Sequence, residues 1–135
     1  MSATAVTTSA APAPVGPYNQ AVLAGGLLYC SGQIPLDPQT GTMVGSGDVA
    51  NETRQVLKNL TAVLEAASAT AQHVVRTTVF LADLADFQTV NEIYAEVFGA
   101  GTSPARACVQ VAALPKGARV EIDCVAWLGD DLKIV

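Results

Sequence analysis

The chain has 135 residues, half of them hydrophobic, with 7 basic and 12 acidic side chains and a formal net charge of −5. That length holds one compact domain, and the acidic balance argues against a nucleic-acid or anionic-membrane partner, both of which select a basic footprint. Charged residues make up only 14% of the chain, against roughly a quarter in ordinary soluble domains, so part of the surface is expected to be covered by another subunit.

Cys30, Cys108 and Cys124 form an odd set with no CxxC spacing, and the single histidine, His73, has no ligand partner at a useful distance along the chain. Neither a disulfide framework nor a metal site is expected, and the cysteine usage suits the reducing cytoplasm. Residues 1–13 lack the basic start and apolar run of a secretory signal; they read as a flexible lead-in to a single domain over 14–135. No run is long and apolar enough to span a bilayer.

Residues 18–24 and 27–33 alternate as two strands, and Gly25-Gly26 between them is a tight-hairpin signal because both positions tolerate positive φ. Residues 35–47 are a turn-rich loop. Asp48 then reads as an N-cap, with Glu52 in the first turn of a helix over 49–68. Its buried stripe is Val49, Thr53, Val56, Leu57, Leu60, Val63, Leu64 and Ala67, with Arg54, Lys58 and Glu65 opposite. The β-branched stretch 73–81 predicts a strand, Val75, Val79 and Leu81 on one face, Arg76, Thr78 and Phe80 on the other. A second helix is predicted over 86–98, with Phe87, Val90, Tyr94, Val97 and Phe98 as its stripe, Asn91 at the stripe's edge and Gly99 as the stop. Strands follow at 105–112 and 119–128, turned by Leu114-Pro115-Lys116-Gly117. The order β-β-α-β-α-β-β predicts an α+β fold, a mixed sheet with both helices on one face.

In the strand at 105–112, Arg106, Cys108 and Gln110 share a face opposite Ala105, Ala107, Val109 and Val111. In the last strand Glu121, Asp123, Val125 and Trp127 oppose Val120, Ile122, Cys124, Ala126 and Leu128. If these strands pair as a hairpin, parity puts Arg106 and Cys108 on the surface of Glu121 and Asp123, with the nearer acid left open. That surface also carries Val125 and Trp127, so a second subunit is expected to cover it. Arg106 reads either as half of a structural ion pair or as a planar fork for a carboxylate, with Arg76 as a rival clamp. Glu121 reads either as the ion-pair partner or as a general acid/base. Cys108 lacks an activating base and reads as a small pocket-lining residue rather than a nucleophile.

Five segments carry a family likeness: GPYNQA (16–21), SGQIPLD (31–37), QVLKNLTAVLEAA (55–67), TTVFLADLADFQTVNEIYAEVF (77–98) and SPARACVQVAALPKGARVEID (103–123). Together they resemble the RidA (YjgF-type) reactive intermediate deaminase family over nearly the whole domain. The resemblance implies a chorismate-mutase-like fold, trimers whose three sheets form a central barrel, and a pocket at each subunit boundary. It further implies hydrolysis of 2-aminoacrylate, 2-iminopropanoate and 2-iminobutanoate to 2-oxo acids and ammonia, with no cofactor or metal. The family's carboxylate-binding arginine falls on Arg106, its neighbours on Ala107 and Cys108, and its water-activating glutamate on Glu121. Its remaining pocket positions fall on Tyr18, Ser31, Gly32 and Asn91. Asn19 stands where the family usually has serine. The competing readings are a carboxylate-binding or chaperone-like module using the same pocket, a ribonuclease, and a chorismate-mutase-type enzyme.

Overall fold

A computed structural model describes residues 2–129. The strands are β1 (Thr4–Val6), β2 (Ala21–Ala24), β3 (Leu27–Gln33), β4 (Val74–Leu81), β5 (Ala105–Gln110) and β6 (Val120–Trp127); the helices are α1 (Val49–Ala66) and α2 (Phe87–Phe98). The six strands form one mixed sheet in the order β1-β2-β3-β6-β4-β5, with α1 and α2 packed on one face. The predicted α+β layout therefore holds.

The local signals act as their chemistry requires. Gly25 and Gly26 both adopt positive φ, 58° and 81°, and close the β2–β3 hairpin. The Asp48 carboxylate caps α1 by accepting from the backbone N–H groups of Ala50 and Asn51 at 3.1 and 3.2 Å. Val56, Leu57, Leu60, Val63 and Leu64 bury the helix face against Leu28, Ile122, Cys124 and Ala126 of the sheet. The 35–47 loop is pinned to that helix by Asn59, fully buried, whose amide donates to the carbonyls of Ile34 and Leu36 at 3.3 and 2.9 Å.

Four expectations are corrected. The β5 and β6 strands do not form a hairpin: β5 pairs parallel to β4, and β6 lies between β3 and β4, antiparallel to both. The segment β4-α2-β5 is thus a crossover unit of the kind that parallel neighbours need. Val75 is exposed and Val74 buried, because the β4–β6 register shifts between Val74 and Arg76. Gly99 does stop α2, as expected, but in the right-handed rather than the left-handed region, at φ −80°, where a side chain would run into the Ala95 carbonyl. The segment expected as a loose lead-in carries β1 on the edge of β2. Gln20, buried, holds that segment by accepting from Thr8 N–H at 2.7 Å and donating to the Ala11 and Pro12 carbonyls at 3.2 and 2.8 Å.

A candidate active site in two halves

Register decides which faces the polar side chains occupy. On β4, Thr77 is the partner of Arg106 and Phe80 the partner of Glu121. Residues 77 and 80 point to opposite faces, so Arg106 and Glu121 do too. Within one chain the sequence-predicted juxtaposition of Arg106 and Cys108 with Glu121 and Asp123 is overturned. Parity along each strand was right; the registers of β5 and β6 against β4 put the two polar sets on opposite faces.

The first half lies on the helix side, between β5 and α2. The Arg106 Nη1 donates to Asn91 Oδ1 at 2.7 Å, and the guanidinium carbon stands 4.8 Å from the Tyr94 ring centre and 5.6 Å from that of Phe87. Phe87, Asn91 and Tyr94 recur at helical spacing, so one face of α2 supplies all three. A cavity of about 320 Å³ opens beside them, lined by Asn91, Tyr94, Ala95, Phe98, Gly99, Ser103, Pro104 and Arg106. Cys108 sits half-buried on the same face, and burial pushes its thiol up against the opposing pull of the Arg106 charge. A thiol raised in this way is a poor nucleophile, and Cys108 is not among the residues that line the cavity. Ala107, between them, points to the other face.

The second half lies at one end of β3 and β6. Cys30 pairs with Cys124 and Gln33 with Ile122, so Ser31 and Gly32 together oppose the single residue Asp123, a β-bulge. The bulge turns the Gly32 backbone onto the Glu121 carboxylate, where a side chain at position 32 would collide with it. The Ser31 hydroxyl donates to the Asn19 carbonyl at 2.6 Å, and the Tyr18 hydroxyl accepts from Val15 N–H at 3.2 Å. Tyr18, Ser31, Gly32 and Glu121 line a cavity of about 310 Å³, with Pro12, Val15, Gln20, Leu36 and Pro115 among its other walls. Burial, and then the neighbouring Asp123 charge, raise the Glu121 carboxyl above its ordinary value. Asp123 is also raised by burial, against opposing hydrogen bonds from Thr78 and the Arg76 charge. Arg76 is therefore an open-face neighbour of Asp123 and not part of the Arg106 cavity.

The predicted site residues are sorted into two sets, Asn91, Arg106 and Cys108 on the helix side and Tyr18, Ser31, Gly32 and Glu121 around the other cavity, while the Ala107 side chain joins neither. The sequence reading missed Phe87, Tyr94 and Pro115 as site neighbours. Phe87 and Tyr94 were absorbed into an apolar stripe, although their spacing from Asn91 was the available signal. The sheet face away from the helices leaves Tyr29, Val109 and Trp127 exposed by 48%, 42% and 59%. Among the described residues, no group of three or more His, Cys, Asp or Glu is gathered to ligate a metal ion, and no helix is long and apolar enough to cross a membrane.

The sequence matches the family described as Endoribonuclease L-PSP over residues 8–128. It is 57% identical to a RutC family protein of Synechocystis, across 91% of this chain and 95% of that protein. It is 53% identical to the human 2-iminobutanoate/2-iminopropanoate deaminase, across 92% of this chain and 89% of that one. A solved structure of the conserved Rid protein family YyfA from Yersinia pestis superposes with a TM-score of 0.90 at 46% identity, covering 93% of this chain and 99% of that one.

Proposed function

Because this chain belongs to the Endoribonuclease L-PSP family, which includes RidA-type deaminases, we propose that it hydrolyses reactive enamines and imines to 2-oxo acids and ammonia. The substrates are 2-aminoacrylate with its imine 2-iminopropanoate, and 2-iminobutanoate, intermediates whose removal limits damage to other metabolites. The observation that carries the reading is the Arg106 fork, oriented by Asn91 and Tyr94 beside an open cavity. A planar guanidinium grips a carboxylate through two parallel hydrogen bonds, which every 2-imino acid offers.

The two halves become one site when copies of the chain assemble head to tail. Each protomer then contributes Arg106, Asn91 and Cys108 to one boundary and Tyr18, Ser31, Gly32 and Glu121 to the next. Such heterologous contacts close into rings, and a homotrimer covers the open face that carries Tyr29, Val109 and Trp127. Trimeric assembly, cytoplasmic location and these residue roles are part of the proposal. The net charge of −5 favours a small carboxylate over RNA as substrate.

The chemistry asks little. The imine carbon is already electrophilic. Arg106 fixes the carboxylate, and the backbone at Gly32, Ala107 and Cys108 orients the nitrogen and oxygens. On the protonated imine, Glu121 takes a proton from water as the oxygen attacks carbon and the C=N π pair moves to nitrogen, giving a neutral tetrahedral aminoalcohol. The carboxyl returns that proton to nitrogen; the C–N bond then breaks as the hydroxyl oxygen forms the C=O bond and gives its own proton to Glu121, so ammonia and the 2-oxo acid leave and Glu121 releases the last proton to solvent. A carboxyl raised above its ordinary value by burial suits both directions of transfer, and general acid–base help of about 10²–10⁴-fold suffices for so labile a bond.

The test is a coupled assay. A serine/threonine dehydratase generates the imine, semicarbazide traps it, and the protein is expected to divert it to pyruvate before trapping. Absence of diversion by the assembled protein overturns the enzymatic reading; binding of 2-oxo acids without diversion leaves a carboxylate-binding module.

A further inference from the structure

We propose that Tyr94, anchored by Thr77, is a positioning residue that sets the plane of the Arg106 guanidinium. The proposal rests on the reading of Arg106 as a carboxylate clamp. The hydrogen bond from Nη1 to Asn91 Oδ1, at 2.7 Å, fixes one edge of the fork but leaves the group able to swing about that bond. The guanidinium carbon stands over the Tyr94 ring, 4.8 Å from its centre, where the ring limits that freedom.

The ring is itself held. Tyr94 is only 7% exposed, and its hydroxyl shares a 2.7 Å hydrogen bond with the Thr77 hydroxyl. Thr77 is fully buried and is the strand partner of Arg106 on β4. Phe98 backs the ring at 4.7 Å between centroids. A closed set results: Thr77 and Arg106 are neighbours on paired strands, and Tyr94 on α2 bridges them. The Tyr94 hydroxyl is committed to the core, and burial raises its phenol above the ordinary value, so it holds its proton and is not a proton donor to substrate. Its effect reaches the substrate only through Arg106. A fork already in plane loses less freedom when it closes on a carboxylate, which is an affinity effect rather than an effect on bond breaking.

The test is a double-mutant cycle read by titration with 2-oxobutanoate and by steady-state kinetics. Tyr94→Leu is expected to weaken 2-oxobutanoate binding and raise KM about tenfold, with kcat changed far less. Made in an Arg106→Lys background, where no planar fork remains, the same change is expected to have almost no further effect. An equal loss in both backgrounds means that Tyr94 only supports the fold, and overturns the proposal. Should Tyr94→Leu fail to fold, Thr77→Val carries the test, since it leaves the ring in place without its anchor. A smaller rise in KM is expected there, again only with Arg106 present. If Arg106→Lys binds and turns over like the natural chain, the clamp reading itself fails.

Discussion

Arg106 and Glu121 stand on opposite faces of one sheet, with β4 between their strands. No side-chain movement within a protomer brings a guanidinium through a sheet to meet that carboxylate. A site using both therefore takes one from each of two copies.

That relationship predicts complementation. Arg106→Ala and Glu121→Gln are each expected to be inactive as pure assemblies. Co-expressed in equal amounts, they should recover about a quarter of the natural activity, because a boundary between unlike protomers in the right order has both intact halves. Imine diversion by purified mixed assemblies measures this. A mixture as dead as its parents would place the whole site within one chain.

Gly32 keeps a place for the Glu121 carboxylate that a methyl group would invade. The obstructed atoms belong to the end of a flexible side chain, so Gly32→Ala should fold with little change in Tm. Displacing Glu121 by about 1 Å should lower kcat/KM on the order of 10²-fold. Thermal melting beside the coupled assay separates the two effects.

Glu121 also predicts a pH dependence with a definite sign. Its folded-state pKa lies above the ordinary carboxyl value of 4.5, so the folded chain binds the proton more tightly than the unfolded chain. Its contribution to stability is greatest below the ordinary value and is lost as pH rises through the raised one. Glu121→Gln should therefore melt higher than the natural protein at about pH 7.5, with the gap closing near about pH 4. Over the same range kcat/KM should fall on acidification, as the carboxylate that accepts the water's proton is lost.

The open sheet face should tolerate charge poorly if a copy covers it. Trp127→Glu, at a position 59% exposed in the single chain, should fold but sediment as a monomer and lose diversion activity. Analytical ultracentrifugation reads the mass; an unchanged oligomer with full activity would move the interface elsewhere.

Cys108 should be dispensable as a nucleophile. Its thiol is raised by burial, so Cys108→Ser should keep activity within a few-fold, and alkylation by iodoacetamide should be slow near neutral pH.

The sequence by itself determined the elements and much of their packing. Gly25-Gly26 wrote the hairpin, Asp48 the start of α1, and the stripe from Val56 to Leu64 the helix face that meets the sheet. Each depends on residues a few positions apart, where backbone geometry leaves little choice. The motifs GPYNQA, SGQ and PARAC also marked some of the residues that line the cavities, among them Tyr18, Ser31 and Gly32 of one and Pro104 and Arg106 of the other. Only the tertiary structure decided how β5 and β6 are placed, because alternation fixes which residues share a face but not which face meets the helices. A hairpin through Leu114–Gly117 and a parallel crossover through α2 satisfy the same local pattern. Pairing β5 with β4 turned Arg106 toward Asn91 and Tyr94 and left Glu121 behind the sheet. Strand neighbours far apart in the chain are chosen by how the whole core closes, and that choice split the site into two halves.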